Sequence, residues 1–152
     1  MTITKTVLAA ALVLAAPTFA AANPNLQPEF NAKTGTIIAH NVGAADAGRS
    51  LATVGCSGIG GAVCPDPAAA DIAPFENPAF PNRATVKMDP VNAGDSKSFT
   101  FPFYKGLNFA PGTYIFSVCV DAGDNVAETN ENDNCTRVRH TVKPKQATLK
   151  LK

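Results

Sequence analysis

The chain has 152 residues, 45% of them hydrophobic and 16% charged, with 13 basic and 12 acidic side chains and a formal net charge of +1 at pH 7. This length suits one domain with one hydrophobic core, and so balanced a charge excludes an overall field that would steer the protein to nucleic acid or anionic lipid. Motifs of the GxSxG, HExxH and P-loop types are absent from the sequence, which argues against an enzyme.

Residues 1–22 are predicted to form a secretory signal peptide. Lys5 supplies a positive charge, residues 7–16 are apolar, Pro17 ends the apolar stretch, and small residues occupy positions 20–22. The apolar stretch is about half the roughly 20 residues that a membrane-spanning helix needs, so cleavage after Ala20 or Ala22 is favoured over an anchor. We expect an exported protein, periplasmic or extracellular, with no membrane span in the mature chain. Residues 23–145 would form its domain, and residues 146–152 a basic tail.

The mature region indicates short strands separated by turns rich in glycine and proline. A polar lead over residues 23–28 precedes the predicted strands, which lie at 36–41, 49–56, 84–88, 96–103, 112–121 and 136–142. Between 57 and 83 the pattern gives way to glycine, alanine and proline, and the proline density there excludes a helix or a central strand. The fold class is therefore all-β, an antiparallel sandwich with a long Gly/Pro/Ala-rich loop insertion.

The strand that begins at Gly112 has the clearest alternation in the chain. Tyr114, Phe116, Val118 and Val120 share one side, which is predicted to be buried. Cys119 and Asp121 belong to the opposite side and are predicted to be exposed. The segment after this strand is almost wholly acids and amides around the apolar Val126, and it returns through Cys135 to the last strand.

Four cysteines in an exported chain favour two disulfides, with three possible connectivities. Cys119 and Cys135 lie on the outward sides of the strands that flank the acidic segment, and Cys56 and Cys64 close a glycine-rich loop. The predicted pairs are Cys56–Cys64 and Cys119–Cys135. A metal site of the four cysteines is disfavoured because they form no CxxC pairs and only two histidines are present. Those two, His40 and His140, lie in predicted strands and are interpreted as structural.

The acidic segment is a candidate calcium site. It offers oxygen ligands of the kind that Ca²⁺ prefers, although their spacing is not that of an EF-hand: Asp121, Asp124, Asn125, Glu128, Glu131 and Asp133. The preferred alternative is a turn in which side chains cap backbone N–H groups, Val126 plugs the core, and Glu131 pairs with Arg137 or Arg139. Under that interpretation no cofactor is needed. Calcium should then change the melting temperature by less than about 3 °C, since 1 kcal/mol corresponds to roughly 3–6 °C.

The segment 57–83 is a candidate partner-binding loop, because loops on a rigid sandwich commonly carry binding sites. Phe75 and Phe80 are its candidate anchors. An equally open alternative is that both phenylalanines form a satellite core beneath the loop.

Three segments resemble the CARDB family, the cell-adhesion-related domain found in bacteria. These are TIIAHNVGAADAG, VNAGDSKSFTF and the run GTYIFSVCVDAGDNVAETNENDN. The resemblance implies an immunoglobulin-like β-sandwich of about seven strands and an exported, non-catalytic binding or adhesion-type module with a protein or glycan partner. The long insertion at 57–83 departs from the family pattern. Two alternatives are a secreted inhibitor or accessory subunit of an extracytoplasmic enzyme that acts through this insertion, and a calcium-dependent structural module.

Overall fold

Seven strands and three short helical segments are present in the computed structural model, which describes residues 22–144. The predicted basic tail and all of the predicted signal peptide except Ala22 lie outside the described residues. The strands are β1 (Leu26–Asn31), β2 (Thr36–Asn41), β3 (Ser50–Ile59), β4 (Ala84–Met88), β5 (Ser96–Thr100), β6 (Gly112–Cys119) and β7 (Cys135–Val142). Between β3 and β4 lie the helix α1 (Ala69–Ile72) and a 3₁₀ helix, Ala73–Phe75, and a second 3₁₀ helix, Pro102–Gly106, follows β5.

The strands form two antiparallel sheets. One sheet has the order β1-β2-β5 and the other β4-β3-β6-β7. Aromatic contacts join the sheets, and Phe30 of β1 lies 5.1 Å from Phe116 of β6 between ring centroids. The prediction of an all-β sandwich is confirmed.

The central strand β6 has the predicted register. Tyr114, Phe116 and Val118 are at most 2% exposed, and Val120 just beyond the strand is fully buried. Each inward residue is separated from the next by one outward residue, so a single alternation places them all in the core.

Strand β1 was not predicted, because its sequence, LQPEFN, contains a proline and polar residues, and its first three residues fall within the predicted polar lead at 23–28. Pro28 is tolerated because β1 is an edge strand with a single neighbour, β2, and need not donate a hydrogen bond on its free side. Leu26 and Phe30 supply its buried face, at 0% and 5% exposure.

The prediction that no helix forms between 57 and 83 was wrong. Helix α1 lies in the proline-free stretch between Pro67 and Pro74 and spans only four residues, so no proline interrupts its hydrogen bonds. Pro74 falls at the start of the following 3₁₀ helix, where its missing N–H costs nothing.

The turn after β2 is built around Asn41, which is 1% exposed. Its Oδ1 accepts hydrogen bonds from the N–H groups of Gly43 and Asn25, both at 3.1 Å, and its Nδ2 donates to the carbonyls of Ala45 and Val91. Gly43 is required here because a Cβ would collide with the backbone of residues 23–25. This turn therefore ties the N-terminal segment to the body of the sandwich.

Candidate functional site

All four cysteines lie in the described residues, and the structure brings them together as the two predicted pairs. Cys56 and Cys64 have Cα atoms 6.1 Å apart, and Cys119 and Cys135 have Cα atoms 4.1 Å apart. The second pair joins directly opposed residues of β6 and β7. The first pair closes the tip at which β3 turns through Gly60 and Gly61, both with positive φ.

The two candidate anchors of the 57–83 segment lie in different surroundings. The ring centroid of Phe75 lies 5.9, 5.4 and 5.5 Å from those of Phe99, Phe101 and Phe103. Phe75 is therefore half-buried in an aromatic cluster with Phe99 of β5 and with Phe101 and Phe103, which follow that strand, and it is a satellite of the core. Phe80 is half-buried without a contact of this kind among the described aromatic residues.

The structure exposes other apolar residues that the sequence did not indicate. Val63 is 79% exposed and Ile59 is 42% exposed, and both lie in the loop closed by Cys56 and Cys64. Within the described residues the remaining exposed large hydrophobic residue is Val42, at 57%, in the turn after β2. Their sequence signal is weak, since each aliphatic side chain is isolated among glycines and alanines.

A cavity of about 520 Å³ lies beneath the 57–83 segment. Its walls include the aromatic residues Phe103, Tyr104, Phe109 and Phe116, and its polar lining includes Asp66, Glu76 and Arg83. A cavity of this size, mainly apolar with a few polar groups, is within the range of ligand sites in proteins. Four separate stretches of the chain line it, within residues 54–56, 64–84 and 103–109 and at Phe116, so no local motif could have predicted it.

Two hydrogen bonds hold the walls of this cavity. The Tyr104 hydroxyl donates to the Ala32 carbonyl at 2.6 Å, and burial raises the pKa of this phenol well above its ordinary value. Gly35 has φ +69° and lies against the Tyr104 ring where a Cβ would collide. Arg83, which also lines the cavity, donates from Nη1 to Thr53 Oγ1 at 3.3 Å.

Asp121 is buried, at 1% exposure, so the prediction that it is exposed was wrong. The alternation ends because β6 stops at Cys119 and Asp121 takes a positive φ of 45°. Its Oδ1 accepts a hydrogen bond from the Asn125 N–H at 3.1 Å, and its Oδ2 accepts one from the Val126 N–H at 2.9 Å. Asp121 therefore caps the turn that carries Val126 into the core.

Glu128, Glu131 and Asp133 occupy the rest of this segment. Glu128 is 9% exposed, and its Oε2 accepts a hydrogen bond from the Leu26 N–H of β1. Glu131 Oε1 accepts from the Glu128 N–H at 2.8 Å. Asp133 Oδ2 accepts from the amides of Asn25 and Gln27, which lowers the pKa of that carboxyl against the opposing effect of desolvation.

Three of the six candidate metal ligands come together. Asp121, Glu128 and Glu131 each offer a carboxylate oxygen, and these oxygens lie within 4.8 Å of one another. Asp124 and Asp133 are not part of this group, and Asp124 and Asn125 are exposed. Burial, with the nearby charges of Glu131, Asp121 and Asp133, raises the pKa of Glu128 from 4.5 to about 6, although its bond from Leu26 opposes the shift.

The predicted pairing of the acidic segment with Arg137 or Arg139 does not occur. Within residues 22–144 no lysine or arginine lies at ion-pair distance from a carboxylate, and the one contact of this length is that of His40 Nε2 with Glu29 Oε2 at 3.1 Å. Glu131 uses its carboxylate for local backbone and amide groups, while Arg137 and Arg139 point outward from β7.

The two histidines lie in structural positions. His40 bonds to Ser96 Oγ at 2.7 Å through Nδ1, in addition to its contact with Glu29. His140 is half-buried, with its ring centroid 6.2 Å from that of Phe109.

Comparison with known proteins bears on both the fold and this site. The CARDB family model matches residues 70–138, which run from α1 into β7 and include the acidic segment. The resemblance to CARDB is confirmed. Among solved structures, a CARDB domain from Pyrococcus furiosus, described as in complex with di-metal ions, matches 84% of this chain and 100% of its own, with a TM-score of 0.50 and 16% identity. No curated protein matches the chain.

The CARDB match supports at most a non-catalytic, adhesion-related module. At 16% identity the solved structure shows the fold alone. None of the described helices has the length and apolar character needed to cross a bilayer.

Proposed function

We propose that this protein is an exported, non-catalytic binding module of the adhesion type, which holds a protein or glycan partner through its 57–83 segment. The observation that carries this proposal is the exposure of Ile59 and Val63 on a loop closed by Cys56 and Cys64. Exposed aliphatic side chains on a covalently constrained loop lose little conformational entropy on binding, so they favour association with a protein surface.

Two further observations support the proposal. The two cysteine pairs are consistent with an oxidising compartment outside the cytoplasm, as is the predicted signal peptide. The cavity beneath the loop also supplies a concave surface beside the exposed residues, because Cys56 and Cys64 line it.

Capture from bacterial envelope extract tests the proposal. The mature chain would be immobilised as wild type, as the double variant Ile59→Ser/Val63→Ser, and as Val42→Ser, the matched control at an exposed aliphatic residue outside the loop. We expect the wild type and the control to retain one partner at equal yield and the double variant to lose it. Equal capture by all three would contradict a role for the loop.

The identity of the partner then separates the adhesion-type role from the inhibitor or accessory role. If the captured protein is an enzyme, its activity would be measured with increasing amounts of the mature chain. A change in rate that the double variant does not produce would replace adhesion by enzyme regulation through the same loop.

A metal-dependent structural module is the second candidate, favoured by the group of Asp121, Glu128 and Glu131. The similar domain from Pyrococcus furiosus, described as a complex with di-metal ions, supports it. Isothermal titration of the chelator-stripped mature protein with calcium chloride tests it directly. Saturable heat at micromolar to millimolar calcium is expected, and its absence would leave the acidic segment as a capped turn.

A further inference from the structure

The acidic segment is also the attachment point of the N-terminal strand. Glu128 accepts the Leu26 N–H, and Asp133 accepts both the Asn25 and Gln27 amides, at 3.1 and 2.7 Å. The Thr129 N–H donates to the Pro24 carbonyl at 2.9 Å. The start of β1 is therefore held by side chains of this segment as well as by its single neighbouring strand.

Several buried oxygens in the same segment have no hydrogen-bond partner. They are Glu128 Oε1, Asp133 Oδ1 and Asn134 Oδ1, three of the five such side-chain atoms in the described residues. Each is an acceptor, and leaving a buried acceptor unsatisfied costs about 1–3 kcal/mol, more where the group is charged. A cation or a donor is what these atoms lack.

Asn134 is a side chain without a carboxylate that lies beside the group of Asp121, Glu128 and Glu131. The residue is 5% exposed, and its Nδ2 donates to Glu131 Oε2 at 3.2 Å, so the amide faces the group. The end of the amide that faces Glu131 is Nδ2, while the unpartnered atom is Oδ1, so a flip of the amide would turn this oxygen toward an ion held by Glu131.

The group has no basic side chain to offset its charge. One carboxylate oxygen from each of Asp121, Glu128 and Glu131 lies within 4.8 Å of the others, and no basic side chain of residues 22–144 forms an ion pair with them. Carboxylate and amide oxygens are the ligands of hard cations, and Ca²⁺ accepts them in flexible arrangements that waters complete.

We propose that a divalent cation of the Ca²⁺ class binds among Asp121, Glu128 and Glu131 and thereby fastens the start of β1 to the acidic segment. Glu128 is the link, because one of its oxygens accepts the Leu26 N–H while the other has no partner. An ion on the free oxygen fixes the carboxylate and therefore the bond to Leu26. This inference rests on the metal-dependent candidate function and adds that the bound ion holds β1 to the acidic segment.

Hydrogen exchange of the mature protein, in calcium chloride and in chelator at equal ionic strength, tests the proposal. We expect the amides of Leu26 and Thr129 to exchange at least tenfold more slowly with calcium, and those of β3 and β4 to change little. The variant Glu131→Gln should abolish the difference. Glu131 is exposed, so the variant is expected to fold. Asp124→Asn, which removes an exposed charge of the same segment outside the group, should preserve it.

The outcomes separate the two levels of the proposal. Absence of calcium binding in the titration would overturn both the metal-dependent function and the fastening of β1. Binding without slower exchange at Leu26 and Thr129 would overturn only the fastening. An effect that persists in Glu131→Gln, or disappears in Asp124→Asn, would overturn the assignment of the ligands.

Discussion

Asp121 is buried rather than exposed because strand β6 ends before it. Its position in the alternation of β6 predicts exposure, yet its positive φ turns it inward and both carboxylate oxygens accept backbone N–H groups. The sequence contains the correct residue types for a capped turn, and the capping role was among its predictions. The residue at which the strand stops depends on the packing of Val120 and Val126, which the local pattern does not specify.

Replacement of Asp121 by alanine should lower the free energy of unfolding by about 3 kcal/mol, because two N–H groups beside the core lose a charged acceptor. Asp121→Asn keeps one oxygen acceptor and tolerates positive φ, so its loss should be clearly smaller. Urea denaturation in chelator measures both. Equal stability of Asp121→Ala and wild type would contradict the capping role.

Glu128 should make the free energy of unfolding fall as the pH rises. An ion-paired acid has the opposite effect. Desolvation and neighbouring carboxylates raise its pKa from 4.5 to about 6, so the folded state holds this proton more tightly than the unfolded state. Its stabilising contribution is therefore complete below pH 4.5 and is lost as the pH rises to about 6 and above. Urea midpoints in chelator between pH 4.5 and 7 should show this loss in the wild type and a flatter profile in Glu128→Gln. Identical profiles would show that Glu128 is not the group responsible.

At the level of elements, strand β6 could be predicted from the sequence and strand β1 could not. The alternation of β6 is long and uninterrupted, so its register and the facing of Cys119 follow from it. Strand β1 has few apolar residues and a proline, and its stability comes from β2 and from Glu128 and Asp133, which lie more than 100 positions away. Contacts of that range leave no local pattern. The cavity escaped prediction for the same reason.

The register of β6 can be tested with two aspartates placed on adjacent residues. Val118→Asp should abolish folding, because it buries an unpaired charge at a fully buried position. Ser117→Asp is the matched control, since Ser117 faces outward opposite Arg137 and should leave the protein folded. Circular dichroism and thermal melting distinguish the two, and cooperative melting of Val118→Asp would refute the register.

For the whole molecule, the distribution of the cysteine pairs is uneven. Each pair includes a strand of the sheet β4-β3-β6-β7, and no cysteine lies in the sheet β1-β2-β5. The smaller sheet therefore depends on packing, on the turn at Asn41 and on the acidic segment for its attachment.

Removal of Cys119–Cys135 should lower stability by about 3 kcal/mol in the chain-entropy model, given a sequence separation of 16. The double variant Cys119→Ser/Cys135→Ser and the wild type would be compared by urea denaturation. Mass spectrometry without reduction should find no free thiol and a peptide that links Cys119 to Cys135. A link between Cys56 and Cys119 would contradict both the pairing and the register of β3 on β6, in which Cys119 lies opposite Thr53.

The outward arginines of β7 have a consequence for the protein in concentrated solution. In the part of the chain that the structure describes, β7 has one hydrogen-bonded neighbour, and its other side presents backbone groups that a second molecule could extend. Arg137 and Arg139 are exposed and pair with no acidic side chain of residues 22–144, so two such edges repel each other when they approach. The two arginines thus oppose edge-to-edge association of two molecules. Threonine at both positions should make the protein prone to aggregate without altering its fold.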